Sequence, residues 1–452
     1  MKNQIIGLLA GIIISLSTTA QISSVVKDTL DKKFNEIVKS YNAKGVGAAI
    51  HFKDGSVWEA AYGNYGTEKL TTGLLYDAGS NTKTMIATLV LLLEEDGKLS
   101  IDDSLGKHII PTVNINGQVT IKQLLNHTSG FASFTDHKDY YPNVNNNWDS
   151  ILPVDTVLKY FVDPPLFTPG LRVEYTNTGY ILLGKIIEAV EGKKLAKSMR
   201  ARLFFPTQLD NTYLAFYENY TKKHLGTWLS SGYLADLPVS FLSSAWAAGA
   251  VICEPADLAK WAFDLYSGKI LSKESFDKMN ETLPYTNNQR YGLGMISSTI
   301  AGRPYLGHGG QTLQTSSMEY SIDGEYSIVF MNIEDGQWGQ TMGMRARMII
   351  MLEELLPNVV VPEDTTSLVD ASKNEADLNV YPYPAIESVT VEFSNAIEFE
   401  YQVISAQGQL ITIGSSQGGK TELYKKELGE GLFWIRAFDQ KGSVIIKPIQ
   451  FR

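Results

Sequence analysis

Apolar residues recur at helical spacing over residues 24–41, where Val25, Leu30, Phe34, Ile37 and Val38 share one face, so the chain should open on an amphipathic helix. Residues 45–62 read as two strands joined at Asp54-Gly55, a dipeptide that suits a tight hairpin turn. An apolar block over residues 86–93 ends at Glu94-Glu95-Asp96-Gly97. It predicts a helix that begins near Ser80 and closes at Gly97, where a left-handed residue is cheap for glycine. Further helices are expected over residues 119–125, 153–161, 181–190 and 341–356, and one opened by Glu254-Pro255 and running to Phe263, proline being well placed in a first helical turn. Residues 291–295 and 327–332 read as strands. Residues 131–147 are rich in Asp, Asn, Tyr and His and read as a long surface loop of the kind that builds a substrate cleft. Helices in the middle and strands at both ends predict an α+β domain, an antiparallel sheet against a helical cluster.

The texture changes after Pro357. Residues 358–378 are polar and aperiodic and read as a linker. Residues 379–452 alternate in short β-type runs, at 388–393, 399–405, 409–413, 431–438 and 443–451, with turns at Gln407-Gly408, Gly418-Gly419 and Lys441-Gly442. That pattern predicts a small all-β sandwich. At the other end, Lys2, an apolar run over residues 5–16 and Ser17-Thr18-Thr19-Ala20 read as a secretory leader, residues 1–20, which would leave 21–357 as the main domain. No cysteine follows that leader to carry a lipid.

Charge and cysteine content narrow the function classes. Lys and Arg number 39 against 49 Asp and Glu, a net charge of −10, which argues against a nucleic-acid or polybasic membrane partner. Cys253 is the only cysteine, so an exported chain must be stable without an internal disulfide. The six histidines show no metal-ligand spacing, and no cofactor is implied. Gly45-Val46-Gly47 lacks a third glycine and a following helix, so it is not a dinucleotide site.

Candidate chemistry begins at Ser80-Asn81-Thr82-Lys83. Ser80 at a helix N-terminus and Lys83 one turn on share a face. A serine hydroxyl needs a neighbouring base to act as a nucleophile. A lysine whose charge is disfavoured by burial can be that base, and the helix N-terminus offers N–H groups where an oxyanion forms. Two further groups stand out, Tyr175-Thr176-Asn177 and His308-Gly309-Gly310.

Together these three motifs resemble the penicillin-recognising serine enzymes, and most closely the class C β-lactamase and DD-peptidase branch, with its S-x-x-K and Y-x-N motifs. The flanks agree: Leu124-Leu125-Asn126-His127-Thr128-Ser129-Gly130, Pro169-Gly170 and Asn177-Thr178-Gly179-Tyr180. The resemblance covers roughly residues 22–356 and implies a β-lactamase/transpeptidase-like fold. It implies a serine hydrolase in which Ser80 attacks a carbonyl to give an acyl-enzyme, and Lys83 and Tyr175 share the proton. Tyrosine ordinarily titrates near about 10, so Tyr175 would need the charge of Lys83 to act as phenolate, and the two should titrate as a pair. The resemblance gives Asn177 contacts to Lys83 and the substrate amide, and makes the backbone N–H groups of Ser80 and Gln311 the oxyanion hole. Gly309 and Gly310 would let substrate backbone lie along the strand. His127 is read as an architectural hydrogen-bonding residue.

His308 is a departure, since the family usually has the lysine of K-T-G there. A histidine is only partly charged near neutral pH and anchors a substrate carboxylate less well. Esters, amides and D-amino-acid or peptidoglycan-type peptides therefore fit better than β-lactams. A non-catalytic relative that binds peptidoglycan peptides is the alternative.

The tail resembles a second family. Asn379-Val380-Tyr381-Pro382-Tyr383-Pro384-Ala385, Tyr401-Gln402-Val403 and Gly431-Leu432-Phe433-Trp434-Ile435 are similar to the C-terminal sorting domain of the type IX secretion system of Bacteroidetes, with Tyr383 where asparagine is usual. This implies a secreted or surface protein, and the secretion machinery as a partner.

Overall fold

The computed structural model describes residues 22, 24–286, 288–355, 378–381, 385–393, 399–405, 410–416, 418–439 and 444–451. The expected leader, the linker up to residue 377 and the turns at Gln407-Gly408 and Lys441-Gly442 lie outside the described residues. The chain divides into two compact units between residues 361 and 362.

In the first unit, helix α1 (Ser24–Ser40) buries Leu30, Phe34, Ile37 and Val38, while Val25, 74% exposed, lies off that face. Strands β1 (Gly45–Phe52) and β2 (Val57–Tyr65) form the expected hairpin, with Gly55 at φ +85°. They join β3 (Glu68–Lys69), β4 (Leu283–Thr286), β5 (Gln289–Tyr291), β6 (Ile296–Ile300), β7 (Arg303–Gln311), β8 (Thr315–Ser321) and β9 (Tyr326–Asn332). The sheet order is β3-β2-β1-β9-β8-β7-β6-β5-β4, and every pairing is antiparallel.

Period-two alternation divides the sheet's two faces. Val46, Ala48, Ile50, Ile328 and Phe330 pack with α1 and with helix α6 (Trp338–Leu355). Ala49, Val329 and Met331 point the other way, into the larger core. That core is built on helices α2 (Thr82–Glu95), α3 (Asn177–Glu191), α4 (Val239–Gly249) and α5 (Pro255–Tyr266). Leu89, Ile181 and Trp261 are fully buried there, and a buried leucine or isoleucine is worth about 1.5–3 kcal/mol over leaving it in water.

Three expectations need correction. Residues 131–147 are not a surface loop: they hold a 3-10 turn at Phe134–Asp136 and a helix at Tyr140–Asn146. Phe131, Phe134 and Tyr140 are buried, and the Tyr140 hydroxyl shares a 2.7 Å hydrogen bond with Ser244. Aromatic burial outweighs the polar composition. Strand β5 stops at Tyr291 and Gly294 turns the chain at φ +76°, so no strand runs over 291–295. Helix α3 starts four residues before the apolar run that predicted it, because the Thr176 side chain accepts from Thr178 N and caps it.

The second unit holds two antiparallel sheets. One contains Leu378–Tyr381, Ser388–Phe393 and Lys420–Tyr424; the other contains Phe399–Ser405, Leu410–Ser415, Gly431–Asp439 and Val444–Phe451. Val389 and Leu423 of the first share a core with Val403, Ile435 and Ile449 of the second. A short helix, Lys425–Leu428, interrupts the expected all-β pattern. Among the described residues, no helix is long and apolar enough to cross a membrane.

Candidate active site

The serine turn is set by glycine. Gly79 opens a 3-10 turn, Gly79–Asn81, at φ +54°, and α2 follows at Thr82. A Cβ on Gly79 would lie 2.9 Å from Gln311 N, and one on Gly310 would lie 2.0 Å from Ala78 O. Side chains at either position would separate the turn from the end of β7. Asn81 ties the two together, its Nδ2 donating to Ala78 O and Ser316 Oγ, each at 2.8 Å. Ser316 Oγ donates in turn to Ala78 O at 2.8 Å.

Lys83 lies on the first turn of α2 and is fully buried. Its Nζ is 3.1 Å from Ser80 Oγ, and it donates to Asn177 Oδ1 at 2.8 Å and to Ala248 O at 2.6 Å. Burial holds this amine well below the ordinary lysine range. Helix α4 delivers the Ala248 carbonyl beyond a break at Trp246, whose φ is +37°. A bulky residue there is strained, and such strain gathers at functional sites.

Lys83 Nζ also lies 4.8 Å from the centre of the Tyr175 ring. Burial raises the Tyr175 phenol above its ordinary value, against a hydrogen bond with Ser80 that lowers it. Both shifts disfavour the charged forms of the pair. Asn177, the first residue of α3, donates from its backbone to Ser133 Oγ at 3.1 Å and from Nδ2 to Thr135 Oγ1 at 3.2 Å. These bonds fix its amide so that Oδ1 faces Lys83.

His127 is fully buried at φ +61°. Its Nδ1 accepts from Thr176 N at 3.2 Å, and its carbonyl accepts from Glu174 N at 2.9 Å. Its ring centre lies 4.3 Å from that of Tyr175. It braces the tyrosine from behind and does not reach Ser80 by any of these bonds.

His308 is 4% exposed. Its Nδ1 donates to Gly309 O at 2.6 Å, which leaves Nε2 to accept from Tyr291 O–H at 3.0 Å. Burial lowers its pKa to about 3. The partly charged histidine expected from the sequence is therefore neutral, with both nitrogens engaged. Gly309 faces α6, where a Cβ would come 2.2 Å from the Trp338 ring.

Two clefts meet at Ser80. One, of about 590 Å³, is lined by Tyr285, His308, Gly309, Trp338 and Arg345, the last ion-paired with Glu319. The other, of about 360 Å³, is walled by Phe134, Tyr140, Tyr141 and Phe241, with Thr135 and Asn177. Ser80, Tyr175 and Gln311 line both. Sequence reasoning missed Tyr291, Ser133, Thr135 and the Ala248 carbonyl. Ala248 lies 165 positions from Lys83, and no motif links the two in the sequence.

A family profile described as Beta-lactamase matches residues 30–336. A second, described as Secretion system C-terminal sorting domain, matches residues 379–450. A Bacillus subtilis (strain 168) chain described as a penicillin-binding protein, PbpX, is 28% identical over 269 residues, 57% of this chain and 62% of that one. The teichoic acid D-alanine hydrolase of Staphylococcus aureus is 27% identical over 275 residues, 59% of this chain and 66% of its own. The chain thus spans less than two thirds of the length of either relative. Among solved structures, a D-stereospecific amidohydrolase from a Streptomyces species superposes with a TM-score of 0.61 at 25% identity, covering 70% of this chain and 98% of that one.

Proposed function

The chain belongs to the beta-lactamase family over residues 30–336, and from that premise we propose that it is an exported serine hydrolase working through an acyl-enzyme on Ser80. One observation carries the reading: the surroundings of Lys83 Nζ. A neutral amine has two N–H groups and one lone pair. Asn177 Oδ1 and Ala248 O take the two donors, and the lone pair is left for the Ser80 hydroxyl at 3.1 Å.

Ser80 gives its proton to Lys83 as Oγ attacks the carbonyl carbon. The oxyanion is received by the backbone N–H groups of Ser80 and Gln311, and two aimed donors there supply a large share of the rate. Lys83 passes the proton through the Tyr175 phenol, which lines both clefts beside Ser80, to the leaving nitrogen or oxygen. The scissile bond breaks and the ester on Ser80 remains. Water, deprotonated by the same pair, then releases the acid and restores the hydroxyl.

For substrate, neutral His308 with both nitrogens engaged favours acyl donors that present no free carboxylate at that strand. The relatives' descriptions, D-alanine hydrolase and D-stereospecific amidohydrolase, support esters and amides of D-amino acids. The sorting-domain match supports export through type IX machinery. Labelling with a fluorophosphonate tests the core of this. The wild type should acquire one adduct at Ser80 and Ser80→Ala none; an unlabelled wild type returns the chain to a binding role.

A further inference from the structure

Asp77 is buried, 2% exposed, three residues before Ser80, and the proton transfers above make no use of it. Its Oδ2 accepts from Thr312 Oγ1 at 2.6 Å, and its Oδ1 lies 2.8 Å from His224 Nε2. Its backbone N–H donates to Gln314 Oε1 at 3.0 Å. Gln314 returns to the same cluster, its backbone N–H donating to Thr312 Oγ1 at 3.0 Å. The Gln314 amide is itself held by Leu225 O and Gly226 O, at 2.8 and 2.9 Å. Thr312 directly follows Gln311. Asp77 therefore joins the segment that carries Ser80 to the segment that carries the second oxyanion donor.

A clasp is needed there because glycine makes the approach. Gly79 and Gly310 let two backbones come together, and neither has a side chain that could set their separation. The Asn81–Ser316 pair anchors one side of the contact, and the Asp77–Thr312 pair anchors the other.

We propose that Asp77 is a positioning residue for acyl transfer, acting through Thr312 to fix the distance between the backbone N–H groups of Ser80 and Gln311 that receive the oxyanion. The proposal rests on the acyl-enzyme reading above. Asp77 lines neither cleft, whereas its partner Thr312 lines the smaller one. Its effect belongs to the tetrahedral state, because a displaced donor weakens binding of the oxyanion more than binding of the ground-state carbonyl.

The test compares wild type, Ser80→Ala, Thr312→Val, Thr312→Ala and Thr312→Ser in hydrolysis of a D-alanine nitrophenyl ester and in affinity for phenylboronic acid, whose tetrahedral adduct with serine mimics the intermediate. Loss of one oxyanion donor typically lowers kcat about 10²–10³-fold. A displaced donor should therefore cost roughly ten- to a hundredfold in kcat for Thr312→Val, with KM within about twofold, and boronate affinity should fall in parallel. Thr312→Ser, which keeps the hydroxyl, should recover most of both. Thr312→Ala serves in place of valine if the added methyl prevents folding. Wild-type kcat and boronate affinity in a folded Val or Ala variant, or a change in KM alone, overturns the proposal. If instead wild type and Ser80→Ala behave alike, the acyl-enzyme reading has failed and the clasp falls with it.

Discussion

The hydroxyl of Tyr291 donates to Nε2 of His308 at 3.0 Å, while Nδ1 of the same ring donates to the Gly309 carbonyl at 2.6 Å. A lysine at position 308 would bring a fixed cation to the cleft edge. This histidine brings an imidazole held neutral by burial and with both polar atoms already engaged. On the proposed acyl-enzyme reading, the missing charge should disfavour acyl donors that carry a free carboxylate.

A hydrogen bond to a charged partner is worth about 1.5–3 kcal/mol, or roughly ten- to a hundredfold in binding. Nitrocefin, whose carboxylate finds no cation at His308, should be turned over at least that much less efficiently than a D-alanine nitrophenyl ester. Steady-state kcat/KM for the two substrates on one preparation checks this, and nitrocefin turnover on a par with the ester would refute the role given to His308.

In the proposed mechanism Lys83 is the base, so it should set the acid limb of the pH profile. Burial lowers its pKa well below the ordinary 10.5, so the basic amine is populated at pH values where an exposed lysine is protonated. The rate kcat/KM should rise with pH and reach its plateau well below 10.5. Lys83→Met, similar in volume but unable to accept a proton, should lower the plateau by about 10²–10⁴-fold. A profile still rising through pH 10 would show that the amine is an ordinary one.

His308 links the site to stability. Its folded-state pKa is lowered to about 3 from an ordinary 6.5, so between those values the unfolded chain binds a proton that the folded chain refuses. Stability therefore rises with pH across that window and falls on acidification from 6.5 toward 3. The contribution is of order a few kcal/mol. His127 shifts in the same direction, so replacing one ring removes only part of the slope. His308→Gln should lose less stability than wild type between pH 7 and pH 4, as read by urea unfolding at each pH, and an unchanged slope would contradict it.

How far the sequence carried is clearest at α1, the β1–β2 hairpin and α6. There an apolar period met a face to bury against, and the elements fall within a few residues of expectation. Periodicity failed where tertiary packing took over. Tyr140 is surrounded by polar neighbours in sequence yet is buried against Phe134 and Ser244. At the site, the motifs brought Ser80, Lys83 and Asn177 into one hydrogen-bonded group. The groups that tune them were illegible. Tyr291 sits 17 positions from His308, and Asp77 lies 235 from Thr312. A hydrogen bond across such a separation leaves no spacing pattern in one dimension. The neutral state of His308 is equally a product of burial, which a motif does not encode.

Gly310 gives the sharpest steric prediction. It pairs with Ser316 across β7 and β8, and its Cα faces the serine turn so closely that a Cβ would stand 2.0 Å from Ala78 O and 2.4 Å from Ser316 Oγ. Ser316 Oγ could rotate away, but Ala78 O is backbone and is itself an acceptor for Asn81 and Ser316. Gly310→Ala must therefore push the serine turn from the strand, breaking the bonds that Ser316 makes to Ala78 and Asn81 and parting the N–H groups of Ser80 and Gln311. Overpacking of this kind costs about 1–3 kcal/mol of stability, and loss of a donor about 10²–10³-fold in kcat. Gly55→Ala makes the control: that glycine also has a positive φ, but a Cβ on it meets nothing within 4 Å, so it should lose a little stability through backbone strain and keep its rate. Melting temperature and ester kcat measured on both variants separate the two effects. A Gly310→Ala protein that is destabilised yet hydrolyses at the wild-type rate would mean that the approach of turn and strand matters to folding alone.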